Sequence, residues 1–396
     1  VRIDADGFFH LTYCTNIHPG DGWAEVFGNI RRIAPGLKAR LSPSAPFGLG
    51  LRLSAREARE LLDGDRLAEF RGWLDREGLY VALINGFPYG PFHGAPVKTN
   101  VYAPDWRQSA RVDYTLDAIE ILRRLVPDDV DGGVSTAPLS YKPWMAGATA
   151  GDWDAITTNV TRVAERLARI RQEGGPLLHL DIEPEPDCVL ENTAETIEFF
   201  ERRLFASGAA RDLIRDHVRV CFDCCHFAVE FEDPAVALQR LQDAGIRIGR
   251  VQLSSAVKVA PAADAPAAAA MAARLRPFAE STYLHQVVER RAGGLARFPD
   301  LDVALDDAAG AAATGERRIH FHVPLFTDRY GDLGSTQDVV RQTLAEAART
   351  RFTRHLEIET YTWDVLPPGL KIDVSDSIAR EYRWVLETFD AQDRRS

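Results

Sequence analysis

The sequence predicts an α/β fold, a (β/α)8 TIM barrel closed by mostly parallel strands. Three observations predict it. Strand-like apolar runs alternate with helical stretches along the chain. Three of those runs, 177–185 (LLHLDIEPE), 218–226 (VRVCFDCCH) and 355–359 (HLEIE), end in acid or imidazole side chains. The length, 396 residues, suits a barrel with insertions. Apolar runs that stop in charge are ordinary where strand ends build an active site, on the C-terminal face of such a barrel.

The elements follow in order. Residues 10–18 (HLTYCTNIH) read as the first strand and 47–53 (FGLGLRL) as the second. Ser54 then starts a helix with Glu57 three residues on, a capping box. Residues 79–85 (LYVALIN) form a third strand, leading into a Gly/Pro/aromatic loop at 86–94. A helix over 114–126 precedes a weaker strand over 133–142, and a long helix spans 153–172. After the strand at 177 comes a helix over 193–205, then the strand at 218. Asp233 and Pro234 open the next helix, with Gly245 past its end. Residues 250–253 (RVQL) are a seventh strand. The rhythm then breaks: 260–273 is Ala/Pro-rich, 283–291 reads as helix, and 306–315 as a connector. Residues 318–326 (RIHFHVPLF) make a ninth strand candidate, demoted to an extended segment over the barrel mouth. A helix over 336–350, the strand at 355 and a helix over 377–389 complete the chain. One domain over 1–396 is expected, with an insertion over 254–317 near the mouth.

Composition narrows the function. The net charge of −11 argues against a nucleic-acid groove. No run is long and apolar enough for a membrane span. Five Cys, an odd number, fit a reducing compartment, so a cytoplasmic location is expected. Cys221, Cys224 and Cys225 read as buried thiols rather than a metal or redox pair. The first residues lack signal-peptide character, and the absence of a leading Met points to a preceding N-terminal piece.

Alternation puts i, i+2 and i+4 of a strand on one face. His179, Asp181, Glu183 and Glu185 share a side, as do Cys221 with Asp223, and His355 with Glu357 and Glu359. In a closed barrel that face is the interior, where charge is costly unless paired or metal-bound. One divalent cation explains Glu183, Asp223 and Glu359 together; the competing explanation is a carboxylate–Arg network fed by Arg52. His226 can curl back over Asp223. His320 and His322 share one face of an extended segment. His285 is more isolated. His18 and His93 lie in loops after the first and third strands, and Lys142 closes the fourth. There is no phosphate-binding glycine loop and no nucleophile elbow.

Strand-end Glu183, the Asp223-x-x-His226 step and the terminal Glu359-Thr360 resemble the xylose-isomerase-like TIM barrels. More closely, the chain resembles the EboE family, the metabolite traffic proteins of the bacterial Ebo gene cluster. The segments are 11–27 (LTYCTNIHPGDGWAEVF), 46–54 (PFGLGLRLS), 84–94 (INGFPYGPFHG), 97–102 (VKTNVY), 283–288 (YLHQVV), 320–326 (HFHVPLF) and 356–367 (LEIETYTWDVLP). The resemblance implies a divalent metal (Zn, Mn, Mg or Co) and a sugar, cyclitol or other polyol as substrate. It implies that Glu183 and Glu359 bind metal and move protons, that Asp223 binds metal and that His226 binds substrate. The seventh strand departs from the pattern, with Gln252 where kin place a ligand histidine. Gln252 itself, His285, His320 or His322 is left to fill that corner, or the metal site is degenerate.

Three readings follow. The first is a sugar or cyclitol isomerase or epimerase working through an enediolate, in biosynthesis or export of a small metabolite. Its metal set is Glu183, Asp223, Gln252, Glu359 and His322, and its substrate contacts are His226, His285, His320, His18, His93, Lys142 and Arg52. Glu357 is the fallback for Glu359. The second is a non-catalytic binding or trafficking protein on the same barrel, and the third an endonuclease IV-like phosphodiesterase. A homo-oligomer and Ebo-cluster partners both stay open.

Overall fold

A computed structural model describes all residues except 4–5, 94–95, 308–314, 367–370 and 394–396. A short β1 (Arg2–Ile3) lies antiparallel on β2 (Phe9–Tyr13). Then come β3 (Phe47–Arg52), β4 (Leu79–Asn85), β5 (Gly132–Thr136), β6 (Leu178–Ile182), β7 (Val218–Asp223) and β8 (Ile248–Leu253). A second group follows: β9 (Val257–Val259), β10 (Val287–Arg291), β11 (Gly294–Phe298), β12 (Arg317–Ile319), β13 (Arg329–Tyr330) and β14 (Leu333–Ser335). The last strand is β15 (His355–Ile358).

Strands β2 to β8 and β15 form the barrel. All are parallel, in the order β2-β15-β8-β7-β6-β5-β4-β3. A parallel bridge between Cys14 and Gly50 joins β2 to β3 and closes the ring. Outward side chains such as Leu178, Leu180 and Ile182 are buried under the helices, and the alternating His179 and Asp181 face the barrel interior. The expected capping box at Ser54 and Glu57 is present, and Asp233 caps the helix Pro234–Asp243.

The interior is not filled with aliphatic groups. Arg250 is fully buried there, donating from Nε to Asp181 Oδ2 at 3.0 Å and from Nη1 to Glu357 Oε2 at 3.2 Å. Glycines make the room. A Cβ on Gly50 would overlap Glu357 Oε1, and one on Gly249 or Gly133 would overlap the Asp181 carboxylate. Nearer the N-terminal end, Asp131 joins Arg219 (2.9 Å) to His355 (3.1 Å), and His179 bonds Asp181.

Beyond β8 the chain departs from the expectation of helix and connector. Residues 283–291 are not helical: β10 ends there and turns back antiparallel into β11. The β-branched pair Val287–Val288 is fully buried in a sheet of order β11-β10-β12-β9-β14-β13. A helix, Ala265–Leu275, occupies the Ala/Pro-rich stretch. Most of the connector at 306–315 lies outside the described residues. Of the candidate at 318–326 only Arg318 and Ile319 are in a strand, β12, which belongs to this second sheet. From His320 the chain crosses the barrel strand ends: Val323 N–H donates to Ser255 O, and His322 reaches Glu359.

Two glycine substitutions read the crowding directly. Gly50→Ala is expected to lower stability by about 1–3 kcal/mol, because the interior cannot yield to a methyl group. Gly28, in the helix Trp23–Leu41, has open space around its missing Cβ. Gly28→Ala should raise stability by about 0.5–1 kcal/mol. Urea midpoints at unchanged slope would show both.

Candidate metal centre at the barrel mouth

The strand ends bring the acids together. Glu183 follows β6, and its N–H bonds Thr136 O at the end of β5. Asp223 ends β7 and caps the short helix Cys224–Val229, accepting from His226 N–H at 2.9 Å. The Asp-x-x-His spacing is therefore an N-cap, which sets His226 one turn above the carboxylate. Glu359 follows β15, its N–H bonding Leu253 O. A ligand atom from each of Glu183, Asp223 and Glu359 lies within 4.8 Å of the other two.

No Arg or Lys among the described residues pairs with these three. Arg52 is held elsewhere, on Glu57 (3.1 Å) and Gly90 O (2.5 Å), so the carboxylate–Arg alternative fails there. Burial, then the neighbouring acids, push Glu183 and Glu359 well above the ordinary carboxylic range. Burial opposes ionisation of Asp223 too, yet His226 and His322 with two hydrogen bonds hold it below its usual value. Glu183 Oε2, Asp223 Oδ2 and His322 Nε2 are buried with no hydrogen-bond partner. His322 Nδ1 lies 2.9 Å from Glu359 O, so it must carry the proton and Nε2 the lone pair. The orphaned carboxylate oxygens, with the bare His322 nitrogen grouped with Asp223, fit a divalent cation.

The other sequence-derived residues divide. His226 and His320 line the cavity above the carboxylates. Gln252 is buried beside Asp223 in register, but its Oε1 accepts from Cys221 Sγ at 3.0 Å. His285 is engaged at both nitrogens, by His320 O and Glu280, each at 2.9 Å. His93 joins Asn16 O to Tyr283, and His18 bonds Tyr13. Lys142 pairs with Glu191 and Glu195, lining a separate surface groove. All five Cys are buried and free.

Sequence reasoning passed over Asn16 and Asn85. Both donate to Glu359 Oε1, at 2.8 and 3.0 Å. Their signal was position, since each sits at the end of an early barrel strand. It also passed over the wall of Phe87, Phe92, Tyr283 and Tyr361 around the cavity.

A profile of the family described as xylose isomerase-like TIM barrel matches residues 48–280. The chain belongs to that family. A solved xylose isomerase-like barrel protein from Mycobacterium smegmatis, in complex with magnesium, is 13% identical with a TM-score of 0.52. The alignment covers 97% of each chain. A D-tagatose 3-epimerase-like protein is 12% identical with a TM-score of 0.49, over 96% of this chain and 98% of that one. The probable 3-DHS dehydratase AsbF of Bacillus anthracis is 10% identical with a TM-score of 0.47, over 95% and 98%. No curated protein matches. No helix among the described residues of this xylose isomerase-like barrel is long and apolar enough to cross a membrane.

The charge arrangement has a pH signature. Glu183 and Glu359 titrate higher folded than unfolded, so the folded state holds more protons between those values. Chelator-treated protein should therefore lose stability as pH rises above about 4.5, the unfolded value. Added divalent cation should restore it, and more at pH 8 than at pH 5. Melting curves across pH with and without Zn2+ or Mn2+ test this; a cation effect independent of pH would contradict it.

Proposed function

We propose that this chain is a divalent-cation-dependent isomerase or epimerase of sugars, cyclitols or related polyols. One observation carries the reading: three buried carboxylates meet, with no Arg or Lys partner among the described residues, beside the bare Nε2 of His322, beneath an aromatic-walled cavity. Glu183, Asp223, Glu359 and His322 would hold the cation. When bound, it supplies Lewis-acid polarisation of a substrate carbonyl.

The side chains supply the proton chemistry. Glu183 and Glu359 reach the cavity from different strands, β6 and β15. One removes the proton on the carbon next to the carbonyl, giving an enediolate. The other returns a proton on the opposite face or at the adjacent carbon. Burial, and then the neighbouring acids, raise both above the ordinary carboxylic range, which makes each a readier proton acceptor. Asn16 and Asn85 fix the Glu359 carboxylate by binding one of its oxygens. Phe87, Phe92, Tyr283 and Tyr361 offer apolar surfaces to the C–H faces of a ring.

The finer assignment, an EboE-like role in making or exporting a small metabolite, rests on the shared segments. Many cavity residues fall inside them, among them Asn16, Asn85, Phe92, Lys98, Tyr283 and Tyr361. The reading without turnover drew its motive from Gln252 and from the trafficking context that the EboE resemblance implies. His322 offers the nitrogen donor which that position lacks, and so favours an enzyme. The net charge of −11 and the aromatic wall disfavour a nuclease.

The test is exchange of the substrate α-proton with solvent. Ketohexoses and inososes incubated in D2O with metal-loaded protein should gain deuterium, followed by NMR. Glu359→Gln should slow this by about 10²–10⁴-fold while the fold survives. Exchange at the wild-type rate would remove Glu359 from the catalytic pair and turn attention to Glu357.

A further inference from the structure

The cavity above the carboxylates is lined in two unlike ways. Its floor is polar, made by Glu183, Glu185, His226, His320 and Glu359. Its wall is apolar, and much of that wall is aliphatic. Val97 and Val101 lie at and within the turn of helix Lys98–Tyr102, and Leu284 lies in the segment before β10. All three are half-buried and line the cavity. The two segments are tied together. The Val97 and Lys98 N–H groups both donate to Thr282 O, at 2.7 and 3.2 Å, and Lys98 Nζ pairs with Asp300 at 2.6 Å. Beside Val101 the rings of Phe92, Tyr283 and Tyr361 pack on one another, with centroids 5.0, 5.1 and 5.1 Å apart. The apolar wall is thus built and braced by its own contacts.

The polar tips along this wall are already engaged. His93 Nε2 lies 2.6 Å from Asn16 O, a pure acceptor, so it carries the ring proton, and the Tyr283 hydroxyl donates to His93 Nδ1 at 2.8 Å. Lys98 Nζ is held by Asp300 and by Glu280 O at 3.2 Å. A fully hydroxylated chain or ring seated here would press hydroxyls against Val97, Val101 and Leu284, and these side chains offer no hydrogen bond. Each hydroxyl buried without a partner costs about tenfold or more in affinity. Aromatic rings alone would suit the C–H faces of a sugar. The branched aliphatic groups beside them add apolar surface that asks for an apolar partner.

We infer that the substrate is amphipathic: a hydroxyketone head meets the carboxylate centre, and an apolar substituent about the size of a phenyl ring lies against Val97, Val101 and Leu284. The inference rests on the proposed cation-dependent reaction for the head. It narrows the substrate class from free polyols to those that carry an apolar group. Removing such a group and its seat from water is worth about 10–100-fold in affinity.

Hydroxyketones with the same head and different tails test it. The full chain, loaded with Zn2+, is titrated by calorimetry with hydroxyacetone, L-erythrulose and 2-hydroxyacetophenone. The phenyl ketone should bind about 10–100-fold tighter than hydroxyacetone. L-Erythrulose, whose tail is hydroxylated, should bind no tighter than hydroxyacetone. Val101→Thr, which exchanges a methyl for a hydroxyl at nearly equal volume, and Leu284→Asn should each cut the phenyl preference by about 3–10-fold while the near-ultraviolet circular dichroism stays native. L-Erythrulose binding as tightly as the phenyl ketone overturns the inference and leaves the cation-dependent reading standing. A phenyl preference that both substitutions leave intact also overturns it, as does absence of binding by all three ketones. A preference that Leu284→Asn removes, but that persists in chelator-stripped protein, supports the apolar seat and counts against the cation-dependent reading instead.

Discussion

Arg250 is the interaction on which the rest of this barrel depends. Its guanidinium lies inside the strand ring, fully buried, between the carboxylates of Asp181 and Glu357 and the Ile84 carbonyl. Losing one partner of such a buried set costs on the order of 3–5 kcal/mol, because the remaining charge stays unpaired. The same bonding consumes the positive charge available to the interior. Glu183, Asp223 and Glu359, one step nearer the mouth, are left without a cationic side chain among the described residues. The acid layer above is open to a cation because the layer below is closed.

Charge is thus sorted along the barrel axis. At the N-terminal end, Asp131, His179 and His355 lie as close together as metal ligands do. There Arg219 and His355 both meet the Asp131 carboxylate, so that acid already has cationic and imidazole partners. At the mouth the orphaned atoms include Glu183 Oε2, Asp223 Oδ2 and His322 Nε2. The two clusters differ in that the lower one contains an arginine partner for its acid and the upper one, among the described residues, does not. Gly50, Gly133 and Gly249 give the buried charges their volume, so small residues on some strands serve large ones on others.

The barrel and the acid triad were legible in the sequence because strand alternation maps directly onto inside and outside. Glu183, Asp223 and Glu359 fall on one face by period two alone, and the structure places them together. The helix assigned to 283–291 was misread because Tyr-Leu-His-Gln carries no turn signal, and the strand that follows has only five residues. The second sheet is built from strands of two to five residues, too short for any period to emerge. Gln252 drew attention as an anomaly in a motif, whereas its relation to Cys221 is a contact between neighbouring strands. Asn85 resembles a turn residue in one dimension and becomes a carboxylate clamp only when Glu359 arrives across the mouth from β15.

The order of the chain gives the second sheet a consequence in time. Its strands span residues 257 to 335, and the final barrel strand, β15, comes only after them. The ring therefore cannot close until the entire covering sheet has left the ribosome. Seven barrel strands wait, with two open edges, while the cover is synthesised. Glu359, the last acid of the mouth, arrives with the closing strand, after His320 and His322 have been made. The centre is completed by the same step that seals the barrel.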